Sequence, residues 1–190
     1  NKITAPTLRL SALTVRESEW PLYYQEACRY WVKACVGMPF FRRNGKKIDP
    51  PHGRILYLNS KEATCFTACL VNSSLFYWFY SVFSDCEHIN DALLREMTLP
   101  NTWQKSQWGS VYNRLQKNLV ENATRKCITT QQGHKIEYDE IKALLSKSII
   151  DEIDAVLAKH YGFTDEELDF IVNYDIKYRM GQDGDDADGA

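Results

Sequence analysis

Apolar residues recur at spacings of three and four between residues 60 and 83, and this pattern predicts a long helix at the centre of the fold. Ser60 precedes the pattern as a capping residue, and Asn72-Ser73-Ser74 places small polar groups in its middle. Because polar residues interrupt the apolar run, it falls short of the ~20 residues that a membrane span needs. We therefore expect no membrane segment. The periodic apolar positions are Phe66, Cys69, Leu70, Leu75, Phe76, Phe79 and Tyr80.

Residues 1–60 instead alternate short β-prone runs with turns. Strands are predicted at residues 7–13 and 54–59, whereas the aromatic segment 26–36 favours neither a helix nor a strand. The clearest local signal is Asn44-Gly45 between the matched flanks Phe40 and Ile48. Both central positions of a type I′ turn need positive φ, which Asn and Gly tolerate, so a β-hairpin is predicted here.

Helices are predicted for most of the remaining chain. Residues 91–97 form a short segment of helical character, and residues 106–125 have helical spacing with a mixed charged face. A helical hairpin follows: Ser148 caps its first helix, which Gly162 ends, and Thr164 opens the second helix with Glu167 in a capping box.

Together these elements predict an α+β fold, in which short strands and a hairpin pack on a long central helix and a C-terminal helical hairpin follows. We divide the chain into an α+β domain (residues 1–135), a helical segment (136–181) and an Asp/Gly-rich acidic tail (182–190) that we expect to be disordered. The chain opens with Asn1 and has neither an initiator Met nor a signal segment, so we expect a part of a longer protein.

The net charge of −2 over 190 residues hides an asymmetry. Residues 1–60 hold 10 basic and 4 acidic residues, residues 61–135 hold 8 and 6, and residues 136–190 hold 5 and 15. The first two segments could attract a polyanion, although a solvated acidic end on an ordinary protein explains the asymmetry equally well. The six cysteines include no Cys-x-x-Cys pair, and we expect reduced thiols and a cytoplasmic protein.

Several enzyme classes lose support because their motifs are absent. The sequence has no Gly-x-x-x-x-Gly-Lys phosphate loop, no Gly-x-Gly-x-x-Gly turn and no His-Glu-x-x-His pair. Glu140-Ile141-Lys142 matches half of a metal-dependent nuclease site, but its context predicts a surface helix. Asp49-Pro50-Pro51-His52 is similar to the motif with which amino-methylating DNA methyltransferases bind their target base, but without the preceding apolar strand we interpret it as a proline turn.

Two long segments carry a resemblance to a known family. The sequence resembles the C-terminal region of large bacterial adenine-specific DNA methyltransferases, which also occurs in type IIG restriction-modification enzymes, over most of residues 20–181. The first segment joins Leu70-Val71-Asn72-Ser73-Ser74-Leu75-Phe76-Tyr77-Trp78 to Phe83-Ser84-Asp85-Cys86-Glu87-His88-Ile89-Asn90; the second runs from Ile149-Ile150-Asp151-Glu152-Ile153-Asp154 through His160-Tyr161-Gly162-Phe163-Thr164 to Asp169-Phe170-Ile171-Val172-Asn173-Tyr174 and Gly181. Arg29-Tyr30-Trp31, Pro39-Phe40 and Leu99-Pro100 also fit that region.

The resemblance implies that this chain recognises a DNA sequence and positions an adenine for a separate, upstream catalytic domain. The expected partners are double-stranded DNA and that methyltransferase domain of the same protein. We expect no enzymatic activity and no cofactor in this chain, since S-adenosylmethionine, and Mg²⁺ where the parent also cleaves DNA, would belong to the parent. From their chemistry alone, the candidate DNA-binding residues are Arg42, Arg43, Lys46, Lys47, His88 and Asn90.

For these residues the bland alternatives are a solubilising hairpin and a capped loop. Two other classes of function remain open. Aromatic-rich surfaces also serve as protein-docking modules, and a metal-dependent nuclease fragment would bind Mg²⁺. Salt-dependent DNA binding would separate the first of these from DNA recognition.

Overall fold

The computed structural model describes residues 8–27, 31 and 33–179, and it confirms the α+β prediction. The predicted tail at residues 182–190 lies outside the described residues. The described strands are β1 (Thr14–Val15), β2 (Pro21–Gln25), β3 (Ala34–Cys35), β4 (Phe41–Arg43), β5 (Lys46–Lys47), β6 (Gly53–Leu58), β7 (Thr124–Thr129) and β8 (Lys135–Glu140). The described helices are α1 (Lys61–Asn72), α2 (Ser74–Phe83), α3 (Asp91–Glu96), α4 (Trp108–Glu121), α5 (Lys147–Tyr161), α6 (Asp165–Asn173) and α7 (Ile176–Arg179).

Four of the strands form an antiparallel sheet in the order β1-β6-β2-β3, which packs on α1. The predicted strand at residues 54–59 is confirmed as β6, whereas the one at residues 7–13 is wrong. Leu10–Leu13 form a 3₁₀ turn instead, and the strand begins at Thr14. Leu10 and Leu13 are both buried, and a spacing of three places them on the same side of a 3₁₀ turn, where a strand would point them to opposite faces.

The long central helix predicted over residues 60–83 is wrong in one respect, because it is broken at Ser73. Ser73 has extended backbone angles, φ −77° and ψ 160°, and its hydroxyl caps α2 by accepting from the Phe76 N–H at 3.0 Å. The Asn72 amide donates to the Ala34 and Ala68 carbonyls at 2.7 and 2.8 Å and accepts from the Ala34 N–H at 3.3 Å. The polar triplet thus holds the edge of the first sheet against the helix break.

A buried carboxylate on α5 meets the N-terminus of α2. Asp154 is 2% exposed, and it accepts hydrogen bonds from the Ser74 N–H at 3.0 Å and the Leu75 N–H at 3.3 Å. The buried Arg179 donates to the Ser74 hydroxyl at 3.0 Å. Burial raises the pKa of Asp154 from 3.8 to about 6, although these partners favour the charged form. The contacts tie α5 and α7 to α2.

The predicted C-terminal helical hairpin is confirmed, with one correction at its start. Gly162 ends α5 with φ 76°, and Thr164 and Glu167 form the predicted capping box. Ser148 does not cap α5, because the helix begins one residue earlier and Ser146 occupies the capping position. The Ser146 hydroxyl donates to the Asn118 side chain at 2.7 Å and is not free to cap.

Two expectations about composition can be compared with the described part of the chain. No helix there has both the length and the apolar character needed to cross a membrane. All five of its cysteines are free thiols: Cys35, Cys65, Cys69, Cys86 and Cys127.

Candidate nucleic-acid interface

Two hairpins that are distant in sequence pair side by side and form a second antiparallel sheet, in the order β5-β4-β8-β7. We call it the two-hairpin sheet. The hairpin predicted from the Asn-Gly pair is confirmed, since β4 and β5 flank a turn in which Asn44 has φ 52° and Gly45 has φ 78°. The second hairpin joins β7 to β8, and β8 pairs with β4. Residues on both sides of the predicted boundary at residue 135 therefore belong to one sheet.

The sequence analysis missed the second hairpin, and two expectations there are wrong. The helix predicted over residues 106–125 ends at Glu121, and Thr124 begins β7. Glu140-Ile141-Lys142 was expected on a helix, but Glu140 is the last residue of β8. A usable signal existed, because Lys135-Ile136-Glu137-Tyr138 alternates polar and apolar residues directly after a glycine turn.

The two-hairpin sheet is largely uncovered and strongly basic. All six residues of β7, both residues of β5 and both arginines of β4 are exposed. The four strands carry seven basic and three acidic residues, a net charge of +4 in a chain whose net charge is −2. The basic residues are Arg42, Arg43, Lys46, Lys47, Arg125, Lys126 and Lys135; the acidic ones are Glu137, Asp139 and Glu140.

One face of this sheet holds arginines that are partly neutralised. Cross-strand neighbours share a face, and the pairing places Lys47, Arg42, Glu137 and Cys127 in one row. Arg42 lies 3.9 Å from the Glu137 carboxylate, and its guanidinium lies 5.1 Å from the centre of the Phe40 ring. Arg125 stacks on the same ring at 3.4 Å, and its hydrogen bond to Asp139 raises the pKa of the guanidinium. Phe40 thus holds two guanidinium groups at this face.

The opposite face carries cations around an apolar strip. Lys46, Arg43, Ile136 and Ile128 form one row, and Phe41, Tyr138 and Lys126 form the next. Lys126 lies 3.5 Å from the Glu140 carboxylate. The four predicted basic residues of the first hairpin are therefore split between the faces, two on each. Within the described residues, four cations of the sheet form no ion pair: Arg43, Lys46, Lys47 and Lys135.

The turns of both hairpins lie side by side and are fixed to each other. We call Asn44-Gly45 the first tip and residues 130–134 the second tip. The Asn44 N–H donates to the Lys135 carbonyl at 2.7 Å, and its side-chain oxygen accepts from the Lys135 N–H at 2.9 Å. The Asn44 amide nitrogen then lies 3.0 Å from His134 Nδ1, which must act as the acceptor. One side chain thus couples two turns that lie 91 positions apart in sequence.

The remaining two predicted site residues lie outside the two-hairpin sheet. His88 is exposed and pairs with Ala27 in an isolated bridge at the end of the first sheet, with its ring 6.0 Å from that of His52. Asn90 caps α3, since its side-chain oxygen accepts from the Leu93 N–H at 2.8 Å. Both line a shallow cavity of about 410 Å³ beside Phe83. The structure thus groups the four basic residues together and places His88 and Asn90 apart from them.

The structure also bears on the two motifs that resemble enzyme sites. The Glu140 carboxylate is the one paired with Lys126, and no group of three or more His, Cys, Asp or Glu side chains in the described residues is arranged to hold a metal ion. Pro51 and His52 form a turn between β5 and β6, in agreement with the predicted proline turn.

Comparison with known proteins gives no assignment: the chain matches no family model, no curated protein and no solved structure. Any function must therefore be argued from the residues and their geometry.

Proposed function

We propose that this chain binds double-stranded DNA through the two-hairpin sheet and positions it for a separate adenine-specific methyltransferase domain. The observation that carries the proposal is the concentration of seven cations on one exposed sheet of an otherwise acidic chain. Such a surface attracts the phosphate backbone and releases its counterions, which supplies most of the affinity of non-specific DNA binding. The resemblance of residues 20–181 to methyltransferase C-terminal regions supports the same conclusion.

The cations of the sheet have different parts in this proposal. The unpaired lysines Lys46, Lys47 and Lys135 present flexible point charges, which suit phosphates better than base edges. Arg125 and Lys126 already contact carboxylates and would exchange one anionic partner for another. A phosphate contact therefore gains most at the unpaired lysines, because no existing ion pair has to be broken there.

The helical hairpin of α5 and α6 is a poor alternative DNA-binding element. α6 begins with Asp165, Glu166 and Glu167, and these carboxylates would face the phosphates if its N-terminus entered a groove. The same end of the helix is capped internally, since Thr164 and Glu167 bind each other's backbone N–H groups. DNA binding is therefore assigned to the sheet.

Salt dependence of binding tests the proposal directly. The affinity of the chain for a fluorescein-labelled 30-base-pair duplex is measured by anisotropy at several salt concentrations. We expect log Kd to rise linearly with log salt concentration, because bound protein displaces counterions. Replacing both Lys46 and Lys47 by Ala should reduce that slope by about 1.8, since each phosphate contact contributes about 0.9.

A matched control removes the same charge from elsewhere on the surface. Lys105 and Lys159 are exposed and lie outside the two-hairpin sheet, so replacing both by Ala should leave the slope unchanged. Equal slopes for the wild-type chain and the Lys46/Lys47 variant would show that this hairpin is only a solvated turn. A flat salt dependence of the wild-type chain would refute DNA binding altogether.

A protein-docking function is the second candidate, and one observation favours it. Phe170 and Tyr178 are 56% and 60% exposed on the C-terminal helices, although both are large and apolar. Such side chains are common at the buried centre of protein interfaces. The two functions are compatible, because the aromatic side chains and the basic sheet belong to different elements. A docking-only function would leave binding of duplex DNA undetectable.

A further inference from the structure

The second tip differs chemically from the first, although the two turns are adjacent. The first tip is flanked by Arg43 and Lys46, which are cationic donors. The second tip carries Gln131 and Gln132, which are both exposed and make no hydrogen bond within the described residues. An amide side chain donates and accepts, whereas a lysine only donates. The two tips therefore suit different parts of a nucleic acid.

The second tip is also held in one conformation. The Thr130 N–H donates to the His134 carbonyl at 2.9 Å, and the Gly133 N–H donates to the Thr130 carbonyl at 2.9 Å. The Thr130 hydroxyl accepts from the His134 N–H at 3.1 Å, and Gly133 adopts φ 80°. Together with the contacts of Asn44, these bonds fix the backbone that presents both glutamines. A fixed turn loses little conformational entropy when it binds.

The width of the sheet limits how it meets duplex DNA. Strands lie roughly 4.8 Å apart, so the outer backbones of four strands are separated by roughly 14 Å. The major groove is roughly 12 Å wide and admits a two-stranded ribbon, but not this sheet. One hairpin can therefore enter the groove while its neighbour lies against the phosphate backbone.

We propose that the second tip enters the major groove, where Gln131 and Gln132 contact adenine edges, while the first hairpin binds the adjacent phosphates. Adenine presents an N6 donor beside an N7 acceptor, and a glutamine amide complements both at once. The cations of the first hairpin supply affinity that is independent of sequence. This inference rests on the proposed function and adds the residues that determine its specificity.

Selection from a randomised duplex tests the assignment. The chain is incubated with DNA that contains a 12-base-pair random core, and bound molecules are sequenced after several rounds. We expect the wild-type chain to enrich defined adenine positions and the double substitution Gln131→Ala/Gln132→Ala to lose that enrichment. Its affinity for the selected duplex should fall by about 5-fold to 150-fold, the range expected for one lost bidentate contact. Its affinity for unselected duplex and its salt slope should not change.

Gln104→Ala is the matched control, since Gln104 is an exposed glutamine outside the two-hairpin sheet. It should select the same sequence as the wild-type chain. As a second readout, 7-deazaadenine at the selected positions removes the N7 acceptor, and it should weaken the wild-type chain but not the double variant.

Three results would overturn the inference. One is a double variant that enriches the same sequence as the wild-type chain, and another is a wild-type chain that binds duplex DNA without any sequence preference. If Lys46 and Lys47 nevertheless change the salt slope, the proposed function stands and only the assignment of the glutamines fails. A wild-type chain without salt-dependent binding refutes both.

Discussion

Replacing Asp154 by Asn should change how the stability of the protein depends on pH. The folded pKa of Asp154 is raised from 3.8 to about 6, with burial as the largest cause. Between about pH 4 and pH 6 the folded protein therefore holds a proton that the unfolded chain has released. The free energy of unfolding falls as pH rises through this window, because the buried carboxylate must ionise. Asn cannot ionise, so the variant lacks this loss.

The size of the effect follows from the two pKa values. A tenfold difference in proton affinity corresponds to about 1.4 kcal/mol, so a pKa of about 6 against 3.8 corresponds to about 3 kcal/mol. The stability of Asp154→Asn relative to the wild-type chain should thus rise by about 3 kcal/mol between pH 4 and pH 7. This difference is a substantial part of the roughly 5–15 kcal/mol that stabilises a typical domain.

Urea denaturation followed by tryptophan fluorescence at several pH values between 4 and 7.5 measures the difference. Glu152→Gln is the control on the same helix, because the ion pair with Arg114 lowers the pKa of Glu152. That ion pair stabilises the wild-type chain only above the pKa, so the relative stability of this variant should change with pH in the opposite direction. If the relative stability of Asp154→Asn is the same at pH 4 and pH 7, Asp154 is ionised throughout this range and its partners outweigh its burial.

Two further predictions test the core and the thiols. Asn72→Ala removes three buried hydrogen bonds at the helix break and should lower the free energy of unfolding by about 2–4 kcal/mol in urea, whereas unchanged stability would show that the break holds without them. Exposed Cys86 and Cys127 should react with Ellman's reagent in the native protein, and replacing both by Ser should remove that fast reaction. Cys69 should react only after unfolding, because burial raises the pKa of its thiol; fast reaction in the double variant would contradict this if it came from Cys69.

Local turn chemistry explains which hairpin was predictable. Asn44-Gly45 is a strong signal because both positions need positive φ in a two-residue turn. The second hairpin has a longer turn, and its strands are charged on both faces because no core covers them. The alternation from Lys135 to Tyr138 was the only regular feature available. Pairing between β4 and β8 could not be predicted, since it depends on contacts that are distant in sequence.

The helix break at Ser73 shows a different limit of sequence patterns. Apolar residues continue at helical spacing on both sides of it, so periodicity alone predicts one helix. What breaks the helix is the set of partners that Asn72 and Ser74 find on β3 and α5, which no local window contains. The same reasoning separates Asn90 from the basic residues, because its cap on α3 became visible only with the helix boundary.

The distance between the two hairpins along the chain has a consequence for synthesis. Asn44 leaves the ribosome 91 residues before Lys135, and at roughly 5–20 residues per second the first hairpin waits roughly 5–18 s for its partner. During that time β4 has an unpaired edge, which is a template for association with other nascent chains. Arg42, Arg43, Lys46 and Lys47 surround this edge, and charged side chains are the usual protection against such pairing. The basic hairpin therefore guards the newborn chain before its sheet is complete.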